Sequence, residues 1–203
     1  MDGYNVIIEF SRKCNMTCPH CLRGSACNKT MPSDVMQKII DTFDYISDMT
    51  VGGGESSLAV KQIQEFTNLL LYGNKTEIGS VYVVTNGKRC TMGFLNTIKK
   101  LMDICTDNES SGLQFSYDLW HTENLTWEQQ EKRDRNYWKA RDYMDYRIEN
   151  RDEIVGKHSS ENWGYDSLIN MGRAKNNGIG RREIKPATID IEENQIQDEI
   201  YIT

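Results

Sequence analysis

No stretch of the sequence approaches the roughly 20 consecutive apolar residues that a bilayer-spanning helix needs. Met1 to Phe10 also lacks the basic-then-apolar layout of a secretory signal. Both absences point to a cytoplasmic protein with no membrane role. There is no excess of positive charge either: 24 Lys and Arg stand against 30 Asp and Glu, a formal net charge of −6. Phosphate affinity depends on clustered cations and falls steeply with salt. The balance therefore argues against nucleic acid as a partner while leaving room for a local basic pocket. Without an export signal, the six cysteines do not form the pattern of a disulfide framework. No internal repeat or low-complexity segment interrupts the chain.

What is present suits one soluble domain over residues 1–203, with 38% hydrophobic and 27% charged residues. The β-branched run Asn5 to Phe10 predicts a buried first strand. Pro32, Ser33 and Asp34 open a helix in which Val35, Ile39, Ile40 and Phe43 recur at helical spacing. A second strand follows near Ile46 to Val51 and ends in Gly52-Gly53-Gly54. Helical spacing returns at Val60 to Leu71, a third strand at Val81 to Val84, a helix at Phe94 to Ile104, and a fourth strand at Leu113 to Tyr117. Thr126 with Gln129 forms the pattern of a capping box before a long helix reaching about Asn150. Its EQQEKRDR run is expected to be a solvated face. Alternating strands and helices predict an α/β fold with a parallel sheet. The length suits an incomplete (β/α)6-type barrel better than a closed eight-unit one, which takes about 250 residues. From about residue 151 glycines break the pattern, and Ile184 to Thr203 holds two short strand-like runs.

Cys14, Cys18 and Cys21 fall on one short loop directly after the first strand. Thiolates are the ligands of iron-sulfur clusters. Three of them on a four-iron cluster leave one iron open for chemistry. A zinc site is the competing structure, and it needs a fourth ligand. His20 is too close to Cys21 to fold back, so Cys27 is the fourth ligand that reading would use. Cys90 and Cys105 stand alone in apolar or helical settings and are expected to be inert free thiols.

The Cys-x3-Cys-x2-Cys spacing after a first strand resembles that of the radical S-adenosylmethionine superfamily, over most of the chain. The resemblance implies a 4Fe-4S cluster on Cys14, Cys18 and Cys21. It also implies S-adenosylmethionine chelated to the open iron and split to a 5'-deoxyadenosyl radical. His20, before the last cysteine, takes the position that lies beside the adenine. Gly53-Gly54-Glu55 resembles the family's Gly-Gly-Glu element, whose backbone approaches the cofactor's amino group; Ser56 replaces the proline that often follows. Thr85-Asn86-Gly87 resembles the frequent Thr-Asn-Gly of these barrels, and an ordinary left-handed turn uses the same residues. Ser116 and Asp118 match polar positions near the ribose or methionine portion, with His121 beside them facing substrate. Gly172-Arg173-Ala174 resembles a late Gly-Arg-Ala element of peptide-modifying members, whose arginine reaches the cofactor.

The implied activity is hydrogen-atom abstraction from a substrate, a peptide or protein on the strength of Gly172-Arg173-Ala174. Small size and a single cluster equally suit a small-molecule or nucleoside reaction such as deazapurine formation, or activation of a glycyl-radical enzyme. A flavodoxin or ferredoxin type of electron donor is implied as partner. From another class, a non-catalytic zinc or iron-sulfur sensor would use the same cysteines but has no need of the other strand-end motifs.

Overall fold

The computed structural model describes residues 3–73, 76–123, 125–145, 154–158, 173, 176–178, 188–190, 195–197 and 200–202. Strands β1 (Tyr4–Glu9), β2 (Tyr45–Gly52), β3 (Glu77–Thr85) and β4 (Gly112–Ser116) alternate with helices α1 (Ser33–Thr42), α2 (Val60–Gly73) and α3 (Met92–Asp103). After β4 come the single turn α4 (Leu119–Thr122), the long α5 (Trp127–Asp145), and β5 (Val155–His158). Three short strands follow: β6 (Thr188–Asp190), β7 (Gln195–Gln197) and β8 (Ile200–Ile202).

The six-stranded sheet has the order β5-β4-β3-β2-β1-β8, and every pair in it is parallel. This is the α/β class expected from the sequence, and consecutive neighbours β1 to β5 are consistent with a partial barrel. Among the described residues no strand joins β5 to β8. β6 and β7 pair with each other as a separate antiparallel ribbon.

Parallel strands are covered on both faces, which is why they are apolar. Val6, Ile8, Met49, Val51, Val81, Val83, Leu113 and Phe115 are all essentially inaccessible. Helix α2 lays Ile63, Phe66 and Leu70 on this sheet, and α3 adds Phe94, Leu95, Ile98 and Leu101. Phe10 and Phe66 close the core near the cysteine loop with ring centroids 5.2 Å apart.

β3 begins at Glu77 rather than at Val81. Of its first residues Glu77, Gly79 and Ser80 carry little strand propensity, but pairing of Tyr45 with Glu77 and Ile46 with Ile78 imposes the conformation. The Thr126–Gln129 capping box forms in both directions, at 3.3 and 3.4 Å. Of the two runs expected between Ile184 and Thr203, the described portions are β6, β7 and β8. Residues 146–150, where the long helix was expected to end, lie outside the described residues.

The charge-rich run on α5 is not wholly a solvated face. Arg133, within it, is 1% exposed and ranks first among the fully buried side chains by volume. Its Nη1 donates to the His121 carbonyl at 3.0 Å, its Nη2 donates to the Ser116 carbonyl, and its guanidinium lies 4.6 Å from the Tyr117 ring centre. A solvated-face pattern misses it because a cation enters the interior when backbone carbonyls and an aromatic face replace its water. Arg133→Met keeps most of the volume but strips both carbonyls of their donor. We expect a lower urea midpoint, with a loss of about 1–3 kcal/mol for each carbonyl left buried and unpaired.

Candidate functional site

The cysteine loop is pinched shut at its neck. Met31 N donates to Phe10 O at 3.0 Å, Arg12 N to Lys29 O at 2.9 Å, and Cys27 N to Arg12 O at 3.1 Å. Ser11 and Thr30 form an antiparallel bridge across the same neck. Within the loop, Cys21 N donates to Cys18 O and Gly24 N to Cys21 O, two successive turns that bring the ligands round. Gly24, at φ 74°, takes the left-handed conformation that closes the second turn. Cys18 is buried, Cys14 and Cys21 are half-buried, and Cys27 is exposed. Burial pushes the Cys14 thiol up from its ordinary value, and nearby Glu55, Cys18 and Cys21 push the same way against a hydrogen bond from the Met16 backbone. At the base of the loop the buried carboxylate of Glu9 pairs with Arg23.

The end of β2 is pressed against this loop. Gly54 N donates to Ser11 O and Glu55 N to Lys13 O, both at 2.8 Å. A Cβ on Gly54 would sit 2.1 Å from the Lys13 carbonyl oxygen, and one on Gly53, whose φ is +106°, would sit 2.7 Å from that of Ser11. Both glycines are thus fixed by close backbone approach. Glu55 turns its carboxylate inward. It accepts from Ser57 N at 3.0 Å, from Thr85 Oγ1 at 2.5 Å, and from Asn86 N at 2.8 Å. Asn86 reaches from the end of β3 into the cysteine loop, where its Nδ2 donates to Asn15 Oδ1 at 2.8 Å and lies 3.9 Å from Cys14 Sγ. Lys88 Nζ donates to the Asn15 carbonyl at 3.3 Å.

The end of β4 supplies the opposite wall. Asp118 Oδ1 accepts from His121 N at 3.1 Å, and Oδ2 faces His121 Nδ1 at 2.6 Å. His20, from the cysteine loop, stacks edge-to-face on His121 with centroids 4.6 Å apart and lies 6.0 Å from Trp120. Ser116 is buried at the end of β4 and connects to this group through its carbonyl and Arg133. Arg173 N donates to Cys21 O at 2.9 Å, and Asn177 Nδ2 to Pro19 O at 2.9 Å. Of Gly172-Arg173-Ala174, the two flanking residues lie outside the described ones.

The two histidines have opposite electrostatics. Burial, with the neighbouring His121, lowers His20 to about 4 against the pull of Asp118. Burial would lower His121 as well, but hydrogen bonds to Asp118 and Cys18 and the Asp118 charge raise it to about 9. Asp118 is held below its ordinary value, burial being outweighed by the hydrogen bond from His121. Cys90 and Cys105 are buried free thiols that burial pushes up to about 11, in keeping with inert roles.

Zn–S bonds of about 2.3 Å hold tetrahedral thiolates roughly 3.8 Å apart. Among the described residues His20, Asp118 and His121 bring three ligand-type atoms within 4.8 Å of one another, and the three cysteines do not. His20 Nδ1 and Arg173 Nε are buried and have no hydrogen-bond partner among the described residues. Each belongs to a residue matched to a cofactor contact. Sequence reasoning missed Asn15, Lys88, Arg133 and Asn177; an Asn next to the first ligand cysteine is the only one with a local signal.

No family model matches the chain, and no curated protein matches it.

The histidines make a direct test. In the metal-free protein, NMR titration of the imidazole protons should give a midpoint near 9 for His121 and near 4 for His20. His121, raised above 6.5, adds stability in full below about pH 6.5 and loses it as pH rises through about 9. His20, buried neutral, makes stability fall as pH drops from about 6.5 toward 4. In Asp118→Asn the His121 midpoint should move down toward 6.5; an unmoved midpoint rejects the assigned cause.

Proposed function

We propose that the chain is a radical S-adenosylmethionine enzyme in which Cys14, Cys18 and Cys21 hold a 4Fe-4S cluster. One observation carries the reading: the loop bearing the three thiols is hydrogen-bonded directly to the C-terminal ends of β2 and β3, and its His20 stacks on His121 just beyond β4. In parallel α/β sheets these ends are where ligands bind and chemistry is done. A sensor needs the thiols alone; an enzyme needs a second ligand positioned beside them.

The residues divide by task. Gly53 and Gly54 bare the backbone next to the cysteine loop, and Glu55 fixes that backbone through its own carboxylate contacts. His20 and Arg173 offer the unpartnered atoms that would hold the adenosyl and methionyl parts of S-adenosylmethionine. Asn86, Ser116 and Asp118 complete the rim. When bound, the cluster and S-adenosylmethionine supply reductive carbon-sulfur cleavage and the 5'-deoxyadenosyl radical that takes a hydrogen atom from substrate. The half-buried position of Cys14 and Cys21 and the burial of Cys18 keep bulk water from most of the ligand sphere.

The substrate proposed is a peptide or protein, resting on Gly172-Arg173-Ala174. The electron donor is of the flavodoxin or ferredoxin type, and the setting is the cytoplasm. Among the described residues no helix is long and apolar enough to cross a membrane.

The test is anaerobic reconstitution with iron and sulfide, then dithionite and S-adenosylmethionine. The wild type should take up a 4Fe-4S cluster and release 5'-deoxyadenosine. Cys18→Ala should lose both. A cluster-loaded protein that yields no 5'-deoxyadenosine and shows no electronic change with S-adenosylmethionine defeats the proposal.

A further inference from the structure

Resting on that reading, we infer that the cations around the cysteine loop form a docking face for an acidic electron-donor protein, which seats over the loop and delivers its electron there.

The chain is acidic as a whole, but its charge is sorted along the direction of the strands. From Phe10 to Ser33, the segment that carries the three thiols, there are Arg12, Lys13, Arg23 and Lys29 and no Asp or Glu. The run from Ile78 to Met102 has Lys88 and Arg89 just past the end of β3, and again no Asp or Glu. Hydrogen bonds gather these cations on one face. Arg12 N donates to Lys29 O at 2.9 Å, Lys88 Nζ to Asn15 O at 3.3 Å, and Lys139 Nζ, from α5, to Cys90 O at 3.0 Å. Lys29, Arg89 and Lys139 are exposed, and Lys13 and Lys88 are half-buried. The carboxylates at these strand ends face inward: Glu9 is buried against Arg23, and Glu55 is buried too.

The opposite end of the sheet has the opposite sign. Asp44 and Glu77 stand at the starts of β2 and β3, Asp107 and Glu109 precede β4, and Asp41 and Asp103 lie in the last turns of α1 and α3; all are exposed. Of the cations there, Lys99 pairs with Asp103 and Lys100 donates to Asn68. Helices α1, α2 and α3 all begin at the basic end, so the positive poles of their dipoles add to it. Toward β4 the face is bounded by Glu123, Glu128 and Glu131, which are exposed.

A separation of charge like this orients an approaching partner and speeds its encounter, and it favours a partner whose own surface is acidic. Transient electron-transfer encounters bury little area, so their rate depends on such steering. Here the cations lie on and beside the loop that carries the thiols. A protein seated on them puts its redox group next to the proposed cluster. One electron leaves the reduced donor and enters the cluster; no bond is made or broken, and no proton moves.

The probe is an acidic flavodoxin, fully reduced, mixed anaerobically with the cluster-loaded protein in a stopped-flow spectrometer. Between ionic strengths of about 0.01 and 0.15 M the screening length drops from about 30 to about 8 Å. Over that range we expect the second-order rate of cluster reduction to fall about tenfold. Lys29→Glu combined with Arg89→Glu should lower the low-salt rate about tenfold and flatten its salt dependence. Lys38→Glu combined with Lys100→Glu makes the same change in net charge on α1 and α3 instead, and should match wild type. Reduction by methyl viologen radical cation, a small donor of the opposite sign, should not slow in the Lys29 and Arg89 double variant. A wild-type rate indifferent to salt, an equal loss in both double variants, or failure of flavodoxin to reduce a cluster that methyl viologen reduces overturns this inference alone. Phosphatidylserine vesicles that bind wild type but not the Lys29 and Arg89 double variant, with flavodoxin rates equal in the two, would give the face to a membrane and overturn it as well. A wild type that takes up no cluster overturns the proposed function together with this inference.

Discussion

The site hangs on the inward-turned carboxylate of Glu55. It accepts from the backbone of its own turn at Ser57, from the Thr85 hydroxyl and from the Asn86 backbone, while its own N–H donates to Lys13 in the cysteine loop. One residue thereby couples the ends of β1, β2 and β3. Charge-assisted hydrogen bonds are about twice as strong as neutral ones. Here they lie in a buried setting, with Glu55 3% exposed, where leaving any donor unmet is costly. Removing the carboxylate would free Asn86, which is the side chain that reaches Asn15 and Cys14.

Around this anchor the charges are arranged against the overall acidity of the chain. Arg133 is buried behind the β4 end, Lys88 lies over the cysteine loop, and His121 is held as a cation beside Cys18. A cluster on the three thiolates, as proposed, would bring net negative charge, which these cations would offset locally. Formal net charge, −6 for the whole chain, conveys nothing of this because it averages over the surface.

The strand leading into the cysteine loop was legible because Val6, Ile7 and Ile8 are β-branched and end at a polar loop. The glycines after β2 were legible as a place where a backbone needs closeness, and the structure gives the partner, the Ser11 and Lys13 carbonyls. The start of β3 was not, since Glu77 and Gly79 take strand geometry from pairing with β2 rather than from their own preference. Arg133 was hidden by its neighbours: the rest of EQQEKRDR fits a wet helix face, and burial of Arg133 depends on carbonyls supplied by β4 and α4. The contact between His20 and His121 was equally invisible, because no local pattern pairs residues from the first and fourth strand ends. Contacts made by topology leave no trace in spacing.

The return of β8 to β1 has a consequence for biosynthesis. Val6 pairs with Ile200 and Ile8 with Ile202, so the strand that leads into the cysteine loop is completed by residues made long after it. Until then β1 presents one unpaired edge, a template for wrong partners. The ligand thiols leave the ribosome early, but the sheet behind them is finished late. Under the proposed function, metal loading would be a step of maturation: iron delivered to the nascent chain would meet three cysteines on an unfinished scaffold, exposed to oxygen and to thiol exchange.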